Sequence, residues 1–402
     1  MKKIKILRII ARLNIGGPAI HTVILTEGLR NPDFESILAC GKPEKDEGDM
    51  SYYALRKGVK PVFIPELRRE INLSDDITAL IKIYKIIKAS APDILHTHTA
   101  KAGALGRLAA VLYNCPRFFR KRVILIHTFH GHIFDGYFSK ARTRLFIFIE
   151  RLLALFTDKI ITVSSSVRDE LIGLRISRKD KIEVIPLGLE LERFLRIPVN
   201  DRAPVNIGII GRLVPIKNHL LFLNAAARII SGNPDTPLRF KVIGDGELRG
   251  PLERHAQNTG IGRYVDFLGW QEDLPGLYSG LDMVALASIN EGTPVSLIEA
   301  MASARIVVAT DVGGVRDLMG RDTGKGIKDA PGVRVMERGI IAPSGDADSF
   351  AAALMFIARD DSLRSDIEEA ARGFVKESFA KERLISDIKN LYTRLLSSHK
   401  KL

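Results

Sequence analysis

The sequence predicts an α/β protein built from two doubly wound, parallel-sheet (Rossmann-like) domains that face each other across a cleft. Short β-rich runs alternate with longer helical patterns along the chain. The strand candidates are apolar throughout, which is typical of parallel sheets covered by helices on both faces. The chain also has 402 residues, which is long for a single hydrophobic core and favours two domains.

The strand candidates form two sets, and most of them are separated by helical patterns. The first set is 4–10, 36–40, 62–64, 93–97, 123–128, 159–163 and 182–185. The second set is 205–210, 239–243, 264–268, 282–287, 306–310 and 339–341. The helical patterns include 18–30, 74–89, 101–113, 139–156, 165–173, 217–231, 248–258, 294–303, 346–358 and 361–376. Two such sets predict two doubly wound domains.

A polar, proline-bearing stretch near 186–204 separates the two sets. We therefore expect an N-terminal domain over 1–197 and a C-terminal domain over 198–379. A last helix, at about 381–397, has one apolar face that needs a partner. We expect the segment 380–402 to return to the first domain.

Composition fits a globular protein of a reducing cytosol. The hydrophobic fraction is 46%, and Cys40 and Cys115 offer neither a disulfide framework nor a metal-binding pattern. The N-terminus is too short and interrupted for a signal peptide and is better interpreted as a first strand. The longest apolar run, 145–156, contains Glu150 and Arg151 and cannot span a bilayer.

The net charge of +13 is concentrated in the first half of the chain. Residues 1–195 contain 33 Lys and Arg against 21 Asp and Glu, a net +12, so the remainder contributes +1. Between 101 and 144 the basic residues are Lys101, Arg107, Arg117, Arg120, Lys121, Arg122, Lys140, Arg142 and Arg144, against one acid, Asp135. The first half therefore meets an anionic partner or is simply well solvated. A nucleic-acid partner is not expected, because the basic runs lack interleaved aromatic residues and any reader motif.

The stretch 290–300 predicts a loop that opens a helix, with Glu291 in the loop and Glu299 two turns into the helix. Thr293 is a candidate cap, and Pro294 suits the first helical position. The helix start at Gly292, Thr293, Pro294, Val295 and Ser296, with its free N–H groups other than at Pro294 and the positive end of the helix dipole, would favour an anion flanked by two carboxylates. The combination favours a sugar phosphate or a nucleotide sugar. The alternative is an ordinary capped helix with two solvated glutamates.

Four other turns follow strand candidates and can serve a phosphate-bearing ligand. Gly16 and Gly17, before Pro18, permit close backbone approach, although an ordinary strand–helix turn has the same pattern. In the second turn, Gly211-Arg212 with Lys217, the arginine can donate a forked pair of hydrogen bonds to phosphate and the lysine adds a compact positive charge. Gly244 and Gly246 form the third turn. Trp270 ends the fourth, where a base can lie against it or where it is simply core.

Five histidines lie near strand ends in the first half: His96, His98, His127, His130 and His132. Ligands bind at the carboxyl ends of such strands, so one or two of these side chains are candidates for hydrogen bonds to substrate. No carboxylate accompanies them at a matching spacing, and we expect no metal site. The alternative role for most of them is a satisfied imidazole at the edge of the core.

Taken together and in this order, these motifs resemble the retaining, nucleotide-sugar-dependent glycosyltransferases of family four, which have the two-domain GT-B fold. The resemblance covers nearly the whole chain. It rests on Gly16-Gly17, Thr128-Phe129-His130-Gly131, Gly211-Arg212-Leu213 with Lys217, Gly244-Asp245-Gly246, the pair Glu291 and Glu299, and Gly313-Gly314. The family's small-x-Gly-x-Pro run after the second glutamate is replaced by Ser303-Ala304-Arg305-Ile306, which leaves the transferred sugar open.

The resemblance implies a role for each matching residue. Arg212 and Lys217 would hold the donor diphosphate, Glu291 the sugar hydroxyls and Glu299 the ribose hydroxyls. His130 would lie across the cleft near the sugar and the acceptor, and Gly17 would let the backbone approach the phosphates. No cofactor or metal ion is expected to be required.

The resemblance implies transfer from a nucleotide diphosphate sugar, with UDP expected, to a lipid-linked or glycan acceptor in bacterial surface polysaccharide or lipopolysaccharide synthesis. We expect a cytoplasmic protein, peripheral on the inner face of the membrane. Its basic and apolar surface against anionic lipid would consist of Arg117, Arg120, Lys121, Arg122, Lys140, Arg142 and Arg144 with Phe146, Phe148, Leu152 and Leu153. The alternatives are a hydrolysing sugar-nucleotide 2-epimerase of similar architecture and a non-catalytic nucleotide-sugar-binding protein.

Overall fold

A computed structural model describes residues 3–43, 48–68, 70–115, 122–131, 140–199, 206–327 and 330–399. Its contacts divide the chain into two compact units. Unit 1 is Met1–Leu189 with Lys381–Leu402, and unit 2 is Glu190–Ala380. The sequence analysis sets the first boundary at 197/198, eight residues later. The contacts move it because the helix at Glu192–Leu195 belongs to unit 2, where the Phe194 ring packs 5.5 Å from the Tyr278 ring.

Unit 1 contains a parallel sheet of seven strands in the order β3-β2-β1-β4-β5-β6-β7. Its strands are β1 (Ile4–Arg12), β2 (Phe34–Gly41), β3 (Val62–Phe63), β4 (Ile94–His98), β5 (Ile124–Phe129), β6 (Lys159–Thr162) and β7 (Ile182–Val184). Its first helices are α1 (Gly17–Gly28), α2 (Ser51–Arg56), α3 (Leu73–Ser90), α4 (Ala100–Asn114), α5 (Lys140–Phe156) and α6 (Ser165–Gly173). The strand order reverses between β1 and β4, and this is where doubly wound sheets bind ligands.

Different helices pack on the two faces of this sheet. Helices α3 and α4 pack on one face, where Ile83, Ile87 and Ala109 join the strand residues of one core. On the other face, α1 packs beside the last helix, α15 (Lys381–His399). Leu384 and Tyr392 of α15 are fully buried among strand residues of unit 1. The apolar face of the last helix therefore belongs to the core of the first unit.

Unit 2 contains an eight-stranded sheet in the order β10-β9-β8-β11-β12-β15-β14-β13. Its strands are β8 (Asn206–Ile210), β9 (Arg239–Ile243), β10 (Val265–Gly269), β11 (Met283–Leu286), β12 (Ile306–Thr310), β13 (Asp322–Ile327), β14 (Ala330–Met336) and β15 (Gly339–Ala342). Its helices are α7 (Glu192–Leu195), α8 (His219–Gly232), α9 (Arg249–Asn258), α10 (Leu274–Ser279), α11 (Val295–Ala302), α12 (Val315–Met319), α13 (Ala347–Ala358) and α14 (Asp361–Ser378). The doubly wound α/β class predicted for both halves is thus confirmed.

The sequence analysis missed one part of this sheet, the antiparallel strands β13 and β14 at its edge. Strand β13 is rich in glycine and polar residues and is mostly exposed. Such a strand has no buried face, so it leaves no apolar pattern in the sequence.

Candidate active site

The predicted site residues are divided between the two units. Gly16, Gly17 and His130 belong to unit 1, and the other residues belong to unit 2. Each group is described by itself.

Lys217 and Glu291 meet in unit 2, although 74 positions separate them in the chain. Lys217 follows β8 at the end of a single 3-10 turn, and its Nζ lies 2.5 Å from Glu291 Oε1. Ser288 Oγ donates to the same carboxylate oxygen at 2.7 Å. Within the described ranges, Glu291 Oε2 accepts no hydrogen bond. One carboxylate oxygen is therefore fixed by the protein, and the other can accept a hydroxyl hydrogen.

Backbone contacts hold the Glu291 loop in place. Ile289 N donates to Ile216 O at 2.9 Å, beside Lys217. Gly314 N donates to Glu291 O at 3.1 Å, from the turn that follows β12. The ends of β8, β11 and β12 are adjacent in the sheet, so their loops converge at one edge.

Arg212 lies in the same group of loops, two residues past the end of β8, and is partly buried. Its guanidinium makes no ion pair or hydrogen bond with another residue in the described part of the chain. The preceding residue, Gly211, lies against the Lys217 side chain, and a partly buried cation without a counter-charge on this turn favours an anionic ligand.

Glycines 211, 244 and 246 allow two turns to approach each other closely. Gly244 has φ +127°, and a Cβ there would overlap the Gly211 carbonyl oxygen. A Cβ on Gly246, at φ +156°, would lie 2.7 Å from Leu213 O. Gly211 N donates to Ile243 O, and Leu213 N to Asp245 O, both at 2.9 Å. The glycines therefore fix the path of the loop that carries Arg212.

Helix α11 begins one residue later than the sequence analysis predicts. Its first helical residue is Val295, and Pro294 occupies the N-cap position with φ −73° and ψ 110°. The prediction that Thr293 is the N-cap residue and Pro294 the first helical residue is wrong. Pro294 itself is the N-cap residue, and because its side chain has no hydrogen-bond acceptor, no side-chain cap hydrogen bond forms. Gly292, Thr293 and Ser296 are partly buried around the helix start.

Glu299 is more enclosed than the sequence analysis indicates. It is 8% exposed, and its Oε2 accepts a hydrogen bond from Tyr278 Oη at 2.9 Å. Tyr278 Oη also lies 3.0 Å from Ser296 O, so it ties the carboxylate to the start of α11. Burial raises the pKa of Glu299 to about 7, and the Tyr278 hydrogen bond offsets part of that effect.

Trp270 follows β10 at the carboxyl edge of the sheet and is 43% exposed. It is therefore not a core residue, and its ring is accessible to a ligand. Gly244 N donates to Gly269 O at 2.9 Å, which places the Trp270 turn beside the glycine turn.

In unit 1, Gly16 stands at the N-cap position of α1 with φ +154° and ψ 167°, and α1 begins at Gly17. Few residues other than glycine adopt this backbone conformation. Gly16 thus provides the backbone conformation with which the turn from β1 enters α1.

Histidines 96, 98 and 130 form a cluster at that edge with His21 of α1. His98 Nδ1 lies 3.0 Å from His130 Nε2, and the His21 and His130 rings are 5.0 Å apart. Burial lowers the pKa of His130 to about 3 and the pKa of the others well below the usual value, so all are neutral at pH 7.

The other two histidines do not join this cluster. His127 Nδ1 lies 2.9 Å from Thr97 Oγ1, and its ring packs on Phe129, so it serves the core. His132 lies outside the described residues.

The side chains of His21, His98 and His130 could surround a metal ion, because one nitrogen of each lies within 4.8 Å of the others. Metal-bound imidazoles usually donate their second ring nitrogen to an acceptor. His98 Nε2, His130 Nδ1 and both nitrogens of His21 are buried without a hydrogen-bond partner in the described part of the chain. In His98 and His130 the nitrogen without a partner is free to act as a ligand, and the other nitrogens of these two rings meet each other; His21 alone has no acceptor for its second nitrogen among the residues that the structure describes.

The basic surface predicted in unit 1 is smaller than the sequence indicates. Arg107 is fully buried and donates to both oxygens of Glu150, at 2.9 and 2.7 Å. Lys101 pairs with Asp76 at 2.6 Å. The exposed cations are Arg122, Lys140, Arg142 and Arg144, while Arg117, Arg120 and Lys121 lie outside the described residues.

Helix α5 has an apolar stripe on its exposed side. The stripe residues are 45–72% exposed and are Leu145, Phe148, Leu152, Leu155 and Phe156. Phe146, which the sequence analysis assigns to this surface, instead packs against the core. No helix in the described ranges combines the length and apolar character that crossing a bilayer requires.

Sequence reasoning missed His21, Ser288, Tyr278 and Tyr392 as partners of these sites. Tyr278 and Tyr392 occupy apolar positions of helical patterns and so resemble core residues. Ser288 is close enough to Glu291 in the chain to have been noticed as a local hydrogen-bond partner.

Comparisons with known proteins place this chain and its architecture in one class, the sugar-transferring enzymes. Residues 15–193 match the family described as Glycosyltransferase Family 4, and residues 204–360 match the family described as Glycosyl transferases group 1. The chain belongs to the family-four glycosyltransferases, which have the GT-B fold.

Two relatives are similar over most of their length. The UDP-Gal:alpha-D-GlcNAc-diphosphoundecaprenol alpha-1,3-galactosyltransferase of Escherichia coli is 29% identical, with 91% of this chain and 90% of the relative covered. An undecaprenol-linked-glycan alpha-1,4-N-acetyl-D-galactosaminyltransferase of Campylobacter jejuni is 25% identical, covering 96% and 99%.

Solved structures share the fold. The HepE protein of Anabaena, in complex with UDP and glucose, superposes with a TM-score of 0.77 at 18% identity, covering 97% of this chain and 99% of that one. The lipopolysaccharide outer core galactosyltransferase WaaB gives 0.64, also at 18% identity, covering 97% and 100%.

Proposed function

We propose that this protein transfers a sugar from a UDP-sugar to a lipid-linked sugar acceptor, with retention of configuration, during synthesis of a cell-surface polysaccharide. The observation that carries the proposal is the convergence of Lys217 and Glu291 at the edge of the sheet where the Arg212 turn also lies. A diphosphate leaving group needs cations, and a sugar needs a hydroxyl acceptor. The donor and acceptor named for the Escherichia coli relative accord with this reaction.

In this proposal the donor diphosphate binds to Arg212 and Lys217. An arginine forks onto two phosphate oxygens, and a lysine has three donor hydrogens, of which Glu291 uses one. The same two cations stabilise the charge that develops as the diphosphate leaves, so no metal ion is needed there. Their pre-set positions avoid the cost of reorganisation in the transition state.

Glu291 holds the transferred sugar through its free oxygen, Oε2. Oε1 is engaged by Lys217 and Ser288, so the carboxylate cannot rotate away. The carboxylate is then better suited to orient the sugar than to attack it. Retention therefore proceeds by arrival of the acceptor on the face that the diphosphate leaves, with a leaving-group oxygen taking the acceptor proton.

Glu299, Trp270 and the first amides of α11 complete the donor site. Glu299 accepts hydroxyl hydrogens of the ribose, and the Trp270 face meets the base. The backbone N–H groups of Thr293, Val295, Ser296 and Leu297 face sugar and phosphate oxygens. Gly16 and Gly17 admit the phosphates to the backbone of unit 1, and His130 lies near the sugar and the acceptor.

The lipid-linked acceptor places this protein at a membrane surface, which we propose to be the inner face of the cell membrane. The α5 stripe and the cations Lys140, Arg142 and Arg144 supply the apolar and basic contacts that hold a peripheral protein on anionic lipid. Nucleic acid is not a partner in this proposal.

The test is a transfer assay with a panel of UDP-sugars and a polyprenyl-diphosphate-linked sugar. We expect one UDP-sugar to give a glycosylated lipid, with the anomeric configuration of the donor by NMR. Transfer should persist in EDTA. Release of free or epimerised sugar from the donor alone, without any glycosylated product, would instead identify a hydrolysing epimerase.

A further inference from the structure

A chain of contacts, fully buried from Tyr392 to His98, links the C-terminal helix to the partly buried His130. Tyr392 Oη lies 2.6 Å from His96 Nδ1, and the His96 ring lies against His98 with 4.3 Å between centroids. His98 Nδ1 in turn lies 3.0 Å from His130 Nε2. Tyr392 belongs to α15, nearly 300 positions from His96 in the chain, so only the folded unit brings them together.

Arg8 settles which way these hydrogen bonds run. Its NH2 group donates to Tyr392 Oη at 3.3 Å, and a guanidinium can only donate. The hydroxyl hydrogen of Tyr392 is therefore free to go to His96 Nδ1. Burial raises the pKa of Tyr392, so this hydroxyl stays protonated at pH 7.

His96 is consequently held in a single tautomer. Its Nδ1 accepts from Tyr392, and burial lowers its pKa, so the neutral ring carries its hydrogen on Nε2. That hydrogen points to Thr128 Oγ1, 2.7 Å away. Because both ring nitrogens are engaged, His96 cannot turn, and it forms a fixed surface for His98.

We propose that Tyr392 is a positioning residue for His130, acting through His96 and His98. The ring of His98 has only one hydrogen-bond partner among the described residues, His130, and its Nε2 has none. His98 is therefore oriented by the His96 face and by the edge of the His21 ring 5.6 Å away, and His130 is oriented by its contact with His98, beside the same His21 ring at 5.0 Å. This inference rests on the proposed role of His130 beside the sugar and the acceptor.

The first test is a double-mutant cycle in the transfer assay, with Tyr392→Phe, His130→Asn and the double variant. We expect Tyr392→Phe to lower kcat by about 10- to 100-fold with little change in the donor KM, because small misplacements have effects of this size. Adding it to His130→Asn should lower kcat little further. Additive losses would overturn the proposal, since independent residues give additive effects.

Tyr264→Phe is the matched control. Tyr264 Oη also accepts from an arginine, Arg263 NH2 at 2.6 Å, and it donates to Pro234 O at 2.8 Å. It lies in unit 2, and none of these partners is a predicted site residue. Tyr264→Phe also removes a tyrosine hydroxyl that contacts an arginine. Because these contacts lie outside the predicted site, we expect kcat to be unchanged.

The second test does not depend on turnover. In 15N-histidine-labelled protein, long-range spectra should show His96 with its hydrogen on Nε2, and Tyr392→Phe should shift the His98 and His130 signals too. A change confined to His96 would count against the proposal even if transfer were never observed. Stoichiometric metal in the purified protein would also overturn it, because an ion would then orient His98 and His130.

Discussion

Lys217 and Glu291 form an ion pair of 2.5 Å between Nζ and Oε1, and this pair ties the loop after β8 to the loop after β11. Their side chains are 26% and 11% exposed, so the pair lies at the floor of an accessible surface. An ion pair that is mostly withdrawn from water is weak evidence for a role in stability, because desolvation offsets its attraction, and we therefore assign the pair to ligand binding.

We predict that Lys217→Ala and Glu291→Ala each lower kcat/KM for transfer by about 100-fold or more. Lys217→Ala removes a cation from the diphosphate, and Glu291→Ala removes the acceptor of the sugar hydroxyls. Steady-state kinetics with the active UDP-sugar measures the loss, and thermal unfolding shows whether the fold is retained.

Lys82→Ala provides the matched control for this pair. Lys82 Nζ lies 2.5 Å from Glu66 Oε1 in unit 1, whereas Lys217 and Glu291 belong to unit 2, and neither Lys82 nor Glu66 is a predicted site residue. We expect transfer by this variant to be normal. Normal turnover by Lys217→Ala or Glu291→Ala would contradict the roles assigned to those residues.

We predict that Gly244→Ala destabilises the protein and disturbs the donor site. The new Cβ would overlap the Gly211 carbonyl oxygen and would also place alanine at φ +127°. Backbone strain of this kind costs about 1–3 kcal/mol, and relief of the overlap would move the Arg212 loop. Calorimetry should show a lower Tm, and the donor KM should rise.

Gly260→Ala distinguishes strain from overlap. Gly260 also has a positive φ, +75°, but an added Cβ meets nothing within 4 Å. Its Tm should fall, with transfer kinetics unchanged. An unchanged donor KM in Gly244→Ala would show that the contact between the two turns does not support the site.

We predict that nucleotide binding strengthens as pH rises through about 7, because Glu299 accepts ribose hydroxyl hydrogens as a carboxylate. Its pKa of about 7 in the free protein means that a proton must be lost on binding below that pH. Calorimetric titration with UDP should show affinity falling by up to tenfold per pH unit below 7. Glu299→Gln should bind more weakly at pH 8 and show much less pH dependence.

The same raised pKa has the opposite effect on folding. The folded protein holds the Glu299 proton more tightly than the unfolded chain does, whose pKa is near 4.5. The stability that Glu299 contributes is therefore complete below pH 4.5 and is lost as pH rises to about 7. Over that window, the Tm of the wild type should fall relative to Glu299→Gln; parallel Tm curves would show that Glu299 titrates normally.

We predict that the α5 stripe supports binding to anionic vesicles. Phe148→Asp and Leu155→Asp should each reduce the fraction that sediments with vesicles containing phosphatidylglycerol, because each removes apolar area and adds a like charge. Raising the salt concentration should also reduce binding, since part of the attraction comes from cations.

Exposed apolar residues on another helix provide the control for this effect. Ile77 and Ile81 of α3 are about half exposed, and Ile77→Asp and Ile81→Asp should leave sedimentation unchanged. Equal losses in the α3 and α5 variants would show that binding is not specific to the stripe. No sedimentation of the wild type at any salt concentration would remove membrane contact from the proposed function.

The parts of the site that lie close together along the chain could be predicted from the sequence, and the parts that lie far apart could not. Glu291 and Glu299 lie on one strand–loop–helix segment, so their spacing already indicated a shared site. The Glu299–Tyr278 hydrogen bond crosses 21 positions, and no local pattern indicates it. The histidine cluster needed α1, β4 and β5 to be packed together, and thus His21 escaped notice.

The sequence by itself determined the doubly wound class, the order of the motifs and the family resemblance. Those properties follow from hydrophobic periodicity and turn residues, which are local in the chain. Only the tertiary structure decided which charged side chains are free to contact a ligand or a surface. Arg107, Lys101 and Glu150 look like surface charges in the sequence, and each is paired by a partner from another helix. Burial and pairing depend on contacts between distant segments, so the pKa of Glu299 and the tautomer of His96 could be read only from the folded chain.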